Sequence, residues 1–121
     1  MPLRILIVDD SPAARFMLRE FIESGGHQVV AEEEKLEGVL RSYAQHKPDV
    51  VTLDLSLAQG DGLSVLKALR KLDADAKVLV ISGNSQKKVL DSVTAAGASG
   101  FLAKPIDFKG LADALARMTP R

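Results

Sequence analysis

Five short apolar runs divide the chain: Leu3 to Val8, Gln28 to Ala31, Val50 to Leu53, Val78 to Ile81 and Gly100 to Ala103. Between them lie longer stretches whose apolar residues recur at helical spacing. Runs this short and this continuously apolar suit strands buried on both faces, as in a parallel sheet. The alternation therefore predicts an α/β fold of (βα)5 type, a doubly wound five-stranded parallel sheet with helices on both faces and right-handed crossovers. Glu32, Glu33 and Glu34 follow the second run at once. That run is placed at a sheet edge, and the three acids are read as an exposed loop.

The helical stretches carry their own punctuation. Ser11 is a good N-cap and Pro12 fits the first helical position. Leu18, Phe21 and Ile22 share one face, and Gly25-Gly26 ends that helix. Further helices are expected over Leu36 to Gln45, Gly62 to Lys71, Gln86 to Ala96 and Phe108 to Met118. Gly97 is a natural stop for the fourth, and Asp107 a natural cap for the fifth. Leu66 and Leu69 are expected to pack the third. Gly60-Asp61-Gly62 has turn chemistry.

At 121 residues the chain is the size of one domain, taken here as residues 1–121. Apolar residues make up 46% and aromatics only 4%, so the core must be aliphatic. Sixteen basic and sixteen acidic residues cancel. Such a chain lacks the basic footprint of a nucleic-acid binder. The absence of cysteine excludes disulfides and thiolate chemistry. His27 and His46 lie near turns, are expected to be solvated, and are too few for a histidine-built metal site. No segment approaches the ~20 apolar residues of a membrane span, and no signal-like segment precedes the first strand. The expected location is cytoplasmic, with no membrane partner.

Ligands of open α/β sheets bind outside the carboxyl ends of the strands. The first run ends in Asp9-Asp10, the third in Asp54, the fourth in Ser82-Gly83 and the fifth in Lys104-Pro105. Three carboxylates, a hydroxyl and an ammonium thus converge on one rim. Carboxylates so close repel one another unless a cation sits among them. Mg²⁺ suits such a rim, since it prefers one or two carboxylates, waters and a phosphate oxygen over an all-protein cage. Taken singly, each of these residues has a structural use as a cap, a turn or a surface lysine. Their joint placement is what points to chemistry.

These residues, in this order and at these strand ends, resemble the receiver domains of two-component response regulators, and the resemblance spans essentially the whole chain. It implies a flavodoxin- and CheY-like fold with strand order 2-1-3-4-5. It makes Asp54 the phosphoacceptor, fed by a sensor histidine kinase or a histidine phosphotransfer protein. Asp9, Asp10, Asp54 and the backbone carbonyl of Ser56 would hold Mg²⁺. Lys104 would offset phosphoryl charge, Ser82 would bond a phosphoryl oxygen, and Gly83 would leave it room. Lys104-Pro105 would be a cis peptide. Ser82 and Phe101 would form the switch that reshapes the surface of the fourth helix, fifth strand and fifth helix for a downstream protein target. Ala14 and Met17, off the buried face of the first helix, would meet the kinase. A homodimer formed on phosphorylation is a further partner the resemblance allows. The only catalysis implied is of the chain's own phosphorylation and dephosphorylation, so it is a signalling switch and not an enzyme with a separate substrate.

The chain also departs from the family pattern. Leu57 and Ala58 stand where Met-Pro is frequent, Ser82 where Thr is commoner, and Phe101 where Tyr is also frequent. Ser56 and Asn84, at positions that tune phosphoryl lifetime in the family, are uncharged. Other functions fit less well. A receiver-like binding module independent of phosphorylation usually lacks one of the acids or the lysine. A flavodoxin-like electron carrier would need a hydroxyl-rich phosphate loop in place of Asp9-Asp10, and more aromatics. An aspartyl-phosphate hydrolase would carry Asp-x-Asp at the first strand and a lid domain.

Overall fold

The computed structural model describes residues 2–56 and 62–118. Strands and helices alternate strictly: β1 (Arg4–Val8), α1 (Pro12–Ser24), β2 (Gln28–Glu33), α2 (Leu36–His46), β3 (Val50–Asp54), α3 (Gly62–Leu72), β4 (Val78–Ser82), α4 (Lys87–Ala95), β5 (Gly100–Ala103) and α5 (Phe108–Ala116). The strands form one parallel sheet in the order β2-β1-β3-β4-β5. Both the class and the order agree with the expectation.

Strand alternation sends successive side chains to opposite faces, and each face builds its own core. Ile5, Ile7, Val50, Leu79 and Ile81 pack with Leu18 and Ile22 of α1 and Leu111, Ala114 and Leu115 of α5. Leu6, Val8, Val51, Leu53, Val78 and Val80 pack with Val39 and Tyr43 of α2, Val65, Leu66 and Leu69 of α3, and Val93 of α4. The aromatic shortage is met on the first face by one pair. Phe21 and Phe108 meet edge to face at 6.1 Å, joining α1 to α5.

Local signals explain the helix ends. The Ser11 hydroxyl accepts from the Ala14 N–H at 3.2 Å, and the Asp107 carboxylate accepts from the Gly110 N–H at 2.7 Å. Gly97, with φ +98°, takes the left-handed turn after α4 that a β-carbon would resist.

Two expectations need correction. Glu32 and Glu33 continue β2 and do not form a loop. Arg15 and Arg19 of α1 cover Glu32, and the Ser42 hydroxyl of α2 donates to the Glu33 carboxylate. Polar partners on the flanking helices thus let an edge strand run through an acidic stretch. His27 is half-buried, and its Nδ1 accepts from the Leu3 N–H at 2.9 Å. Burial lowers its pKa below the usual 6.5. Leu57, Ala58, Gly60 and Asp61, together with Thr119 to Arg121, lie outside the described residues.

Candidate functional site

All five strands point the same way, so the residues that follow them share one rim. Asp9 leaves the end of β1 almost fully buried, at 2% exposure. Its N–H donates to the Glu33 carbonyl at 3.1 Å, and its Oδ1 accepts from the Ser11 N–H at 2.9 Å. The second bond turns the chain into α1. Asp10 is half-buried beside it.

Asp54 ends β3 and is also buried. Its Oδ1 accepts two bonds from Ser56, from the N–H at 3.0 Å and the hydroxyl at 2.9 Å. Its Oδ2 accepts from Lys104 Nζ at 3.1 Å. The start of α3 lies close to the residue that follows β3. A β-carbon on Gly62 would lie 2.6 Å from the Leu55 Cα, so glycine alone fits there without a shift.

One carboxylate oxygen from each of Asp9, Asp10 and Asp54 lies within 4.8 Å of the other two. The set is all hard oxygen, which suits a small divalent cation such as Mg²⁺ and not a soft or histidine-seeking metal. The electrostatics agree. Burial raises the Asp9 pKa above its usual value; the Ser11 N–H opposes this, and the charges of Asp54 and Asp10 add to it. Burial also pushes Asp54 upward, but the two Ser56 bonds and Lys104 outweigh it and leave its pKa below the usual range. The pocket thus holds a charged Asp54 next to an Asp9 that would be relieved by a cation.

Ser82 ends β4 with its hydroxyl buried, where it accepts from the Asn84 N–H at 3.0 Å. Nothing lies within 4 Å of the place a Gly83 β-carbon would take, so space is open beside it. Lys104 follows β5, and the Lys104–Pro105 peptide is cis. Phe101 pairs across the ladder with Val80 and is half-buried against the core shared with α2, α3 and α4. It is therefore set back in the sheet from the acidic rim. Ala14 and Met17 sit with Leu18 on one wall of a cavity of about 520 Å³, faced by Lys104, Pro105 and Ile106, with Asp9 also in its lining.

Two contributions escaped the sequence reading. The sequence reading gives Ser56 a backbone-carbonyl role and a place among the positions that tune phosphoryl lifetime, yet its hydroxyl also binds the Asp54 carboxylate. Serine two residues after a strand-ending acid was the available signal, since short hydroxyl side chains bond locally in turns. Arg15 donates from a terminal guanidinium nitrogen to the Asp9 carbonyl at 2.7 Å. No pattern in the sequence marks that contact.

Comparison with known proteins places this geometry. The family model for the response regulator receiver domain matches residues 5–116. The chemotaxis protein CheY of Bacillus subtilis is 34% identical over 115 residues, which cover 95% of this chain and 96% of the relative. CheY of Thermotoga maritima is 32% identical over 119 residues, 98% of this chain and 99% of the relative. Among solved structures, the CheX–CheY complex with BeF3 and Mg²⁺ from Borrelia burgdorferi is similar, with a TM-score of 0.93 and 26% identity. The match covers 100% of this chain and 92% of that one. A LuxR-family two-component response regulator from Aurantimonas is 32% identical with a TM-score of 0.90, over 96% of this chain and 84% of that one.

Proposed function

Because the chain belongs to the response regulator receiver domain family, we propose that it is a Mg²⁺-dependent phosphorylation switch with Asp54 as the acceptor. The observation that carries the reading is the Asp54 carboxylate itself. It is buried and charged, held by Ser56 on one oxygen and Lys104 on the other, and set within a cluster of three acids.

The chemistry follows from those contacts. An Asp54 carboxylate oxygen attacks phosphorus in a phosphohistidine of a kinase or phosphotransfer protein. The P–N bond breaks, and the imidazole keeps its electron pair and takes up a proton. Lys104, already at the carboxylate, is placed to offset charge on the transferred oxygens. Asp9, Asp10, Asp54 and the Ser56 carbonyl would hold Mg²⁺, which supplies a positive counter-charge for the phosphoryl group. Ser56 keeps the acceptor oriented through its N–H and hydroxyl. Ser82 reaches one phosphoryl oxygen by turning its hydroxyl proton toward it, while its oxygen stays on the Asn84 N–H.

The output is protein binding. A new charge beside Ser82 alters the balance between two packings of β4, β5 and Phe101, and so the surface formed by α4, β5 and α5. The cavity beside Ala14 and Met17 opens next to the acidic rim, so a phosphodonor protein would seat there. The likeness to a CheY crystallised with CheX, BeF3 and Mg²⁺ supports both the ion and a protein partner.

Incubation with Mg²⁺ and acetyl phosphate, followed by intact mass, tests the reading. One phosphoryl adduct should form on the wild type, and none on Asp54→Asn or in EDTA. No adduct on a folded wild type, even from a phosphorylated kinase, would favour a binding module that works without phosphorylation.

A further inference from the structure

Two successive peptide planes flank the Asp9 Cα, and both are tied down. The first donates its N–H, that of Asp9, to the Glu33 carbonyl of β2 at 3.1 Å. The second offers its carbonyl, that of Asp9, to Arg15 at 2.7 Å. Peptide planes are rigid, so fixing both fixes the φ and ψ of Asp9. The aim of the Asp9 carboxylate and the direction from which Asp10 starts are then set together.

Arg15 is itself anchored. Its Nε donates to Glu32 Oε1 at 3.1 Å, and its terminal nitrogen lies 3.6 Å from Glu34 Oε2. The other Glu32 oxygen accepts from Arg19 Nε at 2.8 Å. The Arg15 side chain is only 20% exposed, so these charge-assisted bonds are partly shielded from water. A guanidinium fork can hold a strand carboxylate and a turn carbonyl at once, which a lysine ammonium cannot do with the same rigidity.

We propose that Arg15 is a positioning residue for divalent-cation binding: anchored by Glu32, it holds the Asp9–Asp10 peptide plane and so sets how the two carboxylates face the ion. The role needs no contact with the ion or the phosphoryl group. It rests on the reading of the acidic rim as a cation pocket.

Titration of the whole chain with Mn²⁺, with free Mn²⁺ read by electron paramagnetic resonance, gives both Kd and the number of sites. Arg15→Met keeps the apolar stem and removes every donor. Arg19→Met strips Glu32 of its other partner but leaves the Asp9 carbonyl bonded. Arg15→Met should weaken Mn²⁺ binding by about tenfold, the scale on which supporting residues act on a metal site. Arg19→Met should leave the Kd near that of the wild type, and the Mg²⁺ midpoint for phosphoryl uptake should move with the Mn²⁺ Kd. Partial unfolding would lower the site count and not the midpoint. An unchanged Kd in Arg15→Met, an equal rise in Arg19→Met, or a fall in site count alone would overturn the proposal. A wild type that binds Mn²⁺ but takes no phosphoryl group would sink the phosphorylation reading and leave this comparison standing. A wild type that binds no Mn²⁺ would overturn both.

Discussion

Lys104 Nζ stands 3.1 Å from Asp54 Oδ2, so an ion pair joins the end of β5 to the end of β3 on either side of β4. The two partners are unequally placed: the Lys104 side chain is 37% exposed and that of Asp54 only 5%. The lysine therefore contributes little to stability, since water screens its end of the pair. In the proposed switch its value would lie in placing a positive charge where phosphoryl oxygens gather. Lys104→Met should slow phosphoryl uptake from acetyl phosphate by roughly a hundredfold, the scale for losing one preorganised donor. Its unfolding free energy should change by no more than about 1 kcal/mol. A mass time course and a denaturant melt check the two halves, and a slowing of only twofold would remove Lys104 from the site.

Asp9 and Asp54 respond to pH with opposite signs. Asp54, with its folded pKa below 3.8, contributes stability that is complete above pH 3.8 and is lost as pH falls through that lower value. Asp9, with its folded pKa raised, costs stability while ionised, and acidification through that raised value removes the cost. A cation needs Asp9 ionised. Free Mg²⁺ at ten times its Kd should stabilise the fold by about 1.4 kcal/mol at neutral pH. That gain should shrink as pH falls through the Asp9 pKa, above 3.8. Asp9→Asn should melt higher than the wild type without Mg²⁺ and gain nothing from adding it. Melting curves with and without Mg²⁺ between neutral pH and pH 4 decide the matter, and a Mg²⁺ gain that persists in Asp9→Asn would remove Asp9 from the pocket.

Ser82→Ala should separate uptake from response. The acceptor is untouched, so the phosphoryl adduct should still form. The Asn84 N–H loses its acceptor, at a cost of about 1 kcal/mol. Amide shifts induced by BeF3 and Mg²⁺ in α4, β5 and α5 should be much smaller than in the wild type. Shifts of full size would show that Ser82 does not carry the signal.

Gly62→Ala forces a β-carbon against the Leu55 backbone. Backbone cannot yield as a flexible side chain can, so the variant should lose roughly 1–3 kcal/mol in a denaturant melt. Wild-type stability in that variant would mean the Leu55 backbone can move aside.

Thr52 lies at the centre of β3, fully buried, and its hydroxyl has no hydrogen-bond partner among the described residues. Valine has the same shape without the polar atom. Thr52→Val should raise stability by about 1 kcal/mol, seen as a higher denaturant midpoint with an unchanged slope. A lower midpoint would show that the hydroxyl is satisfied in solution.

The rim was legible in the sequence for a simple physical reason. Parallel strands share one polarity, so acids, hydroxyl and lysine at successive strand ends must gather on one side of the sheet. Helix bounds were nearly as readable, because Ser11, Gly25, Gly97 and Asp107 act locally. The far end of β2 was not. Glu32 and Glu33 look like loop until Arg15, Arg19 and Ser42 arrive from neighbouring helices, and no periodicity records that meeting. His27 differs from its expectation for the same reason, since its partner, the Leu3 N–H, is a backbone group just ahead of β1. The Arg15 contact with the Asp9 carbonyl is invisible in sequence because the acceptor there is backbone, which every residue carries.

The interior place of β1, between β2 and β3, bears on how the chain is made. Ile5 to Val8 are wholly buried, shielded on one edge by β2 and on the other by β3, while helices close both faces. Synthesis delivers β1 before any of these. Its β3 edge cannot close until the chain has been extended through Val50 to Asp54 and that segment has left the ribosome. During that interval an aliphatic strand waits half-paired, ready to pair with another chain instead. Crowded polysomes, and any substitution that delays β3, should therefore lower the yield of folded protein more than the stability of the finished molecule would suggest.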